Sequence, residues 1–157
     1  MSRPAVTPLG SAVGILATMA LGVAAGAMLA EGAVLVPWWR SMPPEAFLRW
    51  YADNARRLLE FYGPLEIVSA TLVLLAAVVH RSSRQWFVGA ALLSLAVLAA
   101  FPIYFRDVNA SFENGAIGID RLPGELRRWA AWHWGRTMFG VLAFALAVLG
   151  VRAERRR

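Results

Sequence analysis

Hydrophobic positions in this chain fall into four long runs, not into short stripes on a polar background. Residues 9–36, 63–79, 86–105 and 133–151 are each dominated by apolar side chains. About 20 such residues suffice to cross the ~30 Å hydrocarbon layer of a bilayer. Residues 10–30 and 86–105 carry no charge at all. The pattern predicts an all-α fold, a four-helix transmembrane bundle built as a single integral membrane domain over residues 1–157.

Between the first two runs the periodicity changes. In residues 42–62, Phe47, Trp50, Tyr51, Asn54, Leu58 and Phe61 recur at three- and four-residue steps, with Arg49, Asp53, Arg56 and Arg57 between them. This spacing predicts an amphipathic helix, lying at the interface or continuing into the second span. Pro37 predicts the end of the first span, because the residue before proline disfavours helix. Gly63-Pro64 predicts a break or kink ahead of the second. Six residues, 80–85, join the second and third spans and require an antiparallel hairpin. Residues 106–124 are polar with glycine and proline and read as a loop. A new helix follows Pro123 and Gly124, with Glu125 near its positive N-terminus.

Composition sharpens this picture. Hydrophobic residues make up 59% and charged residues 17%, unlike a soluble domain. The absence of cysteine excludes disulfides, thiolate metal sites and cysteine-held iron–sulfur clusters. All 16 basic residues are arginine, and the net charge is +6. The arginines flank the apolar runs, so membrane topology accounts for them and nucleic-acid binding is not indicated. The first run is too long for the apolar core of a cleaved signal and reads as a retained span. Arg3, Arg81, Arg84, Arg152, Arg155, Arg156 and Arg157 share one side with a single acid, Glu154. By the positive-inside rule both termini are cytoplasmic, as in a protein of a bacterial inner membrane.

The first span has small residues every fourth position, Gly10, Gly14, Gly22, Gly26 and Ala30. Such a stripe allows close helix approach, within the bundle or against a partner membrane subunit. Antiparallel threading brings a second set of residues to one end. Glu31 lies near the end of the first span, Tyr62 and Glu66 open the second, Tyr104, Arg106 and Asn109 close the third, and Trp129, His133 and Arg136 open the fourth. The last three share one helical stripe. Ionisable groups inside a membrane are costly and mark candidate functional sites. Each also has a structural role to weigh: Trp129 and Tyr104 as interfacial anchors, Arg136 as the ion-pair partner of Glu31 or Glu66, Asn109 as a turn residue. His133, Glu31 and Glu66 together are a candidate divalent-metal set, although no ligand-spacing motif accompanies them. His80 falls at the opposite end, which argues against bis-histidine haem ligation.

Two stretches resemble the anthrone-oxygenase-like family of small four-helix membrane proteins. One is Pro102-Ile103-Tyr104-Phe105 followed by Asn109. The other is Trp129-x-x-x-His133-x-x-Arg136-Thr137. The glycine-rich first helix up to Pro37-Trp38, then Met42-Pro43-Pro44, is similar to the same family's first helix and connection. The resemblance implies a four-span fold and, in the characterised fungal branch, oxidation of an anthrone to an anthraquinone by molecular oxygen without a cofactor; for this chain the expected substrate is a lipophilic aromatic or quinone-like molecule. It carries over Asn109, Trp129, His133 and Arg136. The expected roles are His133 as base, Arg136 and Asn109 as oxyanion donors, and Trp129, with Tyr104, Glu31 and Glu66, in substrate binding. The rival expectations are a non-catalytic accessory subunit of a larger membrane complex and a small-molecule or ion-binding module.

Overall fold

A computed structural model describes residues 8–155, with side chains described for residues 10–154. Arg3, Arg156 and Arg157, used above for orientation, lie outside the described residues. The elements are α1 (Pro8–Ala30), a π turn (Glu31–Leu35), α2 (Val36–Ser41), α3 (Pro44–Val79), α4 (Arg84–Ala100), a second π turn (Phe101–Phe105), α5 (Arg106–Glu113) and α6 (Leu122–Arg155). They form four continuous helical rods apolar enough to cross a membrane, Gly10–Ser41, Pro44–Val79, Arg84–Glu113 and Leu122–Glu154. The protein is thus an all-α, four-helix integral membrane protein. α1 packs on α3 and α6, and α4 packs on the same two, so the spans form a ring in the order α1, α3, α4, α6.

Three sequence expectations fail for one reason: the rods run past their breakers. Pro37 does not end the first span. Preceding it, the helix widens to a π turn in which the Val36 N–H donates to the Glu31 carbonyl, and the chain stays helical to Ser41. A π turn re-spaces the backbone acceptors next to a residue that has no N–H and would clash in a regular turn. Pro102 lies in a like turn, where the Arg106 N–H donates to the Phe101 carbonyl. Residues 106–113, expected as loop, therefore continue helically as α5. Of the break or kink expected at Gly63-Pro64, the break fails: α3 stays helical through Pro64. The amphipathic stretch and the second span are one helix.

Thirty or more residues per rod correspond to about 45 Å or more at 1.5 Å per residue, well beyond the hydrocarbon thickness. Most of the excess lies at the end that carries α2, the first half of α3, α5 and the start of α6.

The interior has three layers. At the projecting end, Val36, Trp39, Phe47, Tyr51, Phe105, Phe112, Leu126 and Trp129 make an aromatic cluster. In the other half, Ala17, Val73, Ala76, Ala90, Ala143 and Ala147 pack around Phe87. Between them lies a polar layer holding Glu31, Glu66, His133 and Arg136. Large aliphatic side chains such as Leu16, Met19, Val23, Val78 and Leu92 point outward. Alanine inside and leucine outside invert the soluble-protein arrangement. They suit helices that gain close packing from small side chains while their outer faces meet lipid tails.

The expected small-residue stripe of α1 does not hold one face. Four residues advance a helix by more than one turn, so the row drifts around the axis. Gly10 and Gly14 are buried, Gly22 abuts the Phe144 ring, and Gly26 and Ala30 are exposed.

Candidate functional site

Arg136 organises the polar layer. It enters from α6 and is 8% exposed. Its Nη2 donates to Glu31 Oε2 and its Nη1 to Glu66 Oε1, both at 3.2 Å. The guanidinium therefore bridges carboxylates from two different helices, and its carbon lies 4.5 Å from the Phe105 ring centroid. Both glutamates are buried. One planar cation facing two acids and an aromatic ring is an arrangement to which arginine, unlike lysine, is suited.

His133 stands behind this bridge. Its Nε2 lies 2.9 Å from the Met28 carbonyl oxygen. A carbonyl only accepts, so Nε2 carries the proton. Nδ1 is then the acceptor, and Arg136 Nε and Nη2 approach it at 3.4 and 3.3 Å. The ring is fully buried and stacks on Trp129 with centroids 5.0 Å apart and planes 8° apart. Thr137 folds its hydroxyl onto the His133 carbonyl at 2.8 Å. Gly32 supplies the space: a Cβ there would come within 3.1 Å of the His133 ring.

Trp129 extends the chain of contacts. Its indole N–H donates to Asn109 Oδ1 at 2.9 Å. Because indole nitrogen only donates, the acceptor must be the amide oxygen, which leaves the Asn109 amide donors unused by this bond. Phe105 and Trp39 meet Trp129 edge-on.

Above the bridge a cleft of about 450 Å³ runs between α3 and the α4–α5 rod. This lies within the size range of small-molecule sites. Glu31, Glu66 and Arg136 line its floor, with Trp129 and Asn109 beside them. Tyr51, Ala55, Leu58 and Tyr62 form one wall, and Phe101, Phe105 and Ala110 the other. Arg106 and Glu113 stand toward the polar end, while Leu59 and Ile67 lie on outward, lipid-facing positions.

Of the seven residues given site roles from the sequence, six converge here: Glu31, Glu66, Asn109, Trp129, His133 and Arg136. Two placements need correction. Tyr104 is turned to another side of α6. Its hydroxyl donates to Glu125 Oε1 at 2.7 Å, and its ring stacks on Trp132 at 4.9 Å. It does not line the cleft. His133 does not line it either, so a base in direct contact with a ligand there must be one of the carboxylates. The metal set of His133, Glu31 and Glu66 is also displaced: Arg136 reaches all three. Among the described residues no group of three histidine, aspartate or glutamate side chains is placed to hold a metal ion.

Tyr51, Tyr62, Phe101 and Phe105 were not singled out as ligand-contacting walls. The signal was present. Tyr51, Ala55, Leu58, Tyr62 and Glu66 form a single stripe at three- and four-residue steps. Taking Gly63-Pro64 as a break hides its continuity with Glu66.

The two histidines sit at opposite ends. His80 is buried beside Gly14 and stacks on Phe87 at 4.8 Å, with Nδ1 3.6 Å from Glu154. No family model, curated protein or solved structure matches the chain.

Proposed function

We propose that the cleft binds a lipophilic aromatic or quinone-like molecule from the bilayer and promotes its oxidation by molecular oxygen, in the manner implied by the resemblance to the anthrone-oxygenase-like family. The observation that carries this reading is the cleft itself: aromatic walls over a floor where Arg136 bridges Glu31 and Glu66. A closed set of structural ion pairs would not line an accessible cavity.

The residues suit the chemistry of an aromatic ketone with an adjacent CH2 group. Glu66 takes one proton, leaving an enolate. Arg136 and the Asn109 amide donors face the oxyanion and lower its energy. The enolate carbon gives an electron pair to oxygen, forming a C–O bond. With one proton the product is a hydroperoxide. Loss of water from this C(H)–OOH unit leaves a carbonyl. The balance is CH2 + O2 → C=O + H2O. Trp129 and the tyrosines hold the flat ring. His133 is a positioning residue, fixing Arg136 from behind. No step draws on a cofactor. In this reading both termini are cytoplasmic, in a bacterial inner membrane, and the cleft lies toward the outer face.

Oxygen uptake by the purified chain with anthrones and hydroquinones tests the proposal. Wild type consumes oxygen. Glu66→Gln lowers the rate by ~10²–10⁴-fold, the usual contribution of a positioned base, and Arg136→Lys also lowers it because lysine lacks the planar fork. Rates are compared at equal folded protein. Absence of uptake by folded wild type with every such substrate sinks the oxidase reading. Under that outcome an accessory subunit is favoured if the protein copurifies with a larger complex.

A further inference from the structure

The floor of the cleft carries an uncompensated acceptor. Glu31 and Glu66 contribute two carboxylates and Arg136 one guanidinium. His133 adds no positive charge, because its Nδ1 accepts from Arg136 while Nε2–H donates to Met28. Glu66 uses Oε1 for Arg136, and among the described residues its Oε2 has no hydrogen-bond partner. The side chain is only 8% exposed, yet it lines the cleft. A carboxylate oxygen left without a donor in a water-poor site is costly.

We infer that Glu66 Oε2 is the recognition point for a ligand hydroxyl, so that the cleft selects phenols, hydroquinones and enol tautomers over the corresponding ethers, quinones and ketones. The inference rests on the cleft being the ligand site proposed above, and it specifies which form is bound. A phenol brings a flat ring to Tyr62 and Phe105 and an O–H donor to the surplus oxygen. A quinone brings only acceptors and would leave Glu66 facing another lone pair. The lining carries Glu31, Glu66 and Glu113 against Arg106 and Arg136, so a cationic ligand is the competing occupant that the test below includes. In the oxidation above, the proton would then leave from the oxygen of the enol and not from carbon, giving the same anion.

The test separates this inference from the oxidase reading, because it needs no turnover. The full chain in detergent is equilibrated by dialysis with 2-naphthol, 2-methoxynaphthalene or naphthalene, each corrected with protein-free micelles. Wild type binds 2-naphthol about tenfold or more tighter than the other two, the scale of a hydrogen bond to a charged group. Glu66→Gln brings the three within about threefold, on the same hydrogen-bond scale, by weakening naphthol alone. A purely structural role for Glu66 would weaken all three alike and overturns the inference. Equal binding of naphthol and its methyl ether by wild type also overturns it and leaves the cleft reading intact. If none of the three binds, both fall. If 1-naphthylmethylammonium binds more tightly than 2-naphthol, the surplus charge selects cations and the hydroxyl assignment is wrong. Should Glu66→Gln not fold, the wild-type ratios decide the matter alone.

Discussion

Gly32 is the second residue of the π turn that starts at Glu31, and its missing side chain sets the position of the ring behind the ion bridge. A Cβ there would lie 3.1 Å from His133 and 3.2 Å from Trp134. The His133 ring has no room to yield, since it is held between Trp129 and the Met28 carbonyl. Gly26 has nothing within 4 Å of the same added atom. The two glycines therefore respond in opposite ways. Gly32→Ala lowers stability by ~1–3 kcal/mol, the range for overpacking, while Gly26→Ala is neutral or mildly stabilising, because alanine is the better helix former. Thermal unfolding of the two variants in detergent checks this. Equal melting would mean that the histidine is not confined as described. At this scale the sequence was partly legible. Charge inside apolar runs singled out Glu31, Glu66 and Arg136, and helical spacing tied Arg136 to His133 and Trp129. Which side chain faces the cleft was not legible, because rotation of a helix about its axis depends on neighbours that no single stripe encodes. His133 and Tyr104 turn away from the cleft for this reason.

The helices are joined by contacts between their ends as well as along their lengths. Ser83 precedes α4 in the position where a serine hydroxyl usually caps a helix, yet it makes no capping bond. Its hydroxyl donates instead to Glu154 Oε2 at 2.6 Å, and Ser82 donates to both oxygens of Glu154 at 2.7 and 2.8 Å. The hairpin between α3 and α4 is thus clasped to the last turns of α6. Glu154→Ala removes two charge-assisted hydroxyl bonds at once, the Ser82 bond being shared between both carboxylate oxygens. Local destabilisation of ~1–3 kcal/mol is expected, because the exposed Ser82 hydroxyl regains water while the buried Ser83 hydroxyl loses its acceptor. Amide hydrogen exchange at residues 81–86 should speed up, with exchange around His133 unchanged. Faster exchange at both ends would show that the clasp carries global stability and not local order. Element boundaries were the least legible part of the chain for a physical reason. Pro37 reads as a helix end, and Gly63-Pro64 as a break or kink, under rules drawn from water, where freed carbonyls find solvent. In a bundle of this kind, π turns and neighbouring helices absorb the same residues, so rods of 30 or more residues continue through them. The four spans themselves were legible because length and apolarity needed no rule about breakers.

On the scale of the whole molecule, the polar layer divides an alanine-packed half from an aromatic end that projects beyond the hydrocarbon. The alanine half holds close helix contacts, and the projecting end carries the cleft, so the two demands are separated along the bundle axis. The same axis fixes which chain segments share a face. Glu154 reaches Ser82 and Ser83, and Gly14 abuts His80. The start of α1, the α3–α4 hairpin and the end of α6 therefore lie at one end, opposite the cleft. Arg81, Arg84 and Arg152 belong to that end, and the flanking sequence adds Arg3, Arg155, Arg156 and Arg157 against the single acid Glu154. The other end carries more of the acids and its arginines lie on longer connections. We propose that the end with both termini is cytoplasmic and the cleft faces outward, giving most weight to the arginines of the short hairpin and the chain ends. A reporter that is active only in the cytoplasm should function when fused after Arg157 or before Met1, and one active only outside should function when inserted at Gly118, in the turn ahead of α6. Outside activity for the terminal fusions, with cytoplasmic activity at Gly118, would invert the bundle. Opposite results for the two termini would mean an odd number of spans, which the shared end of Gly14, His80 and Glu154 does not allow.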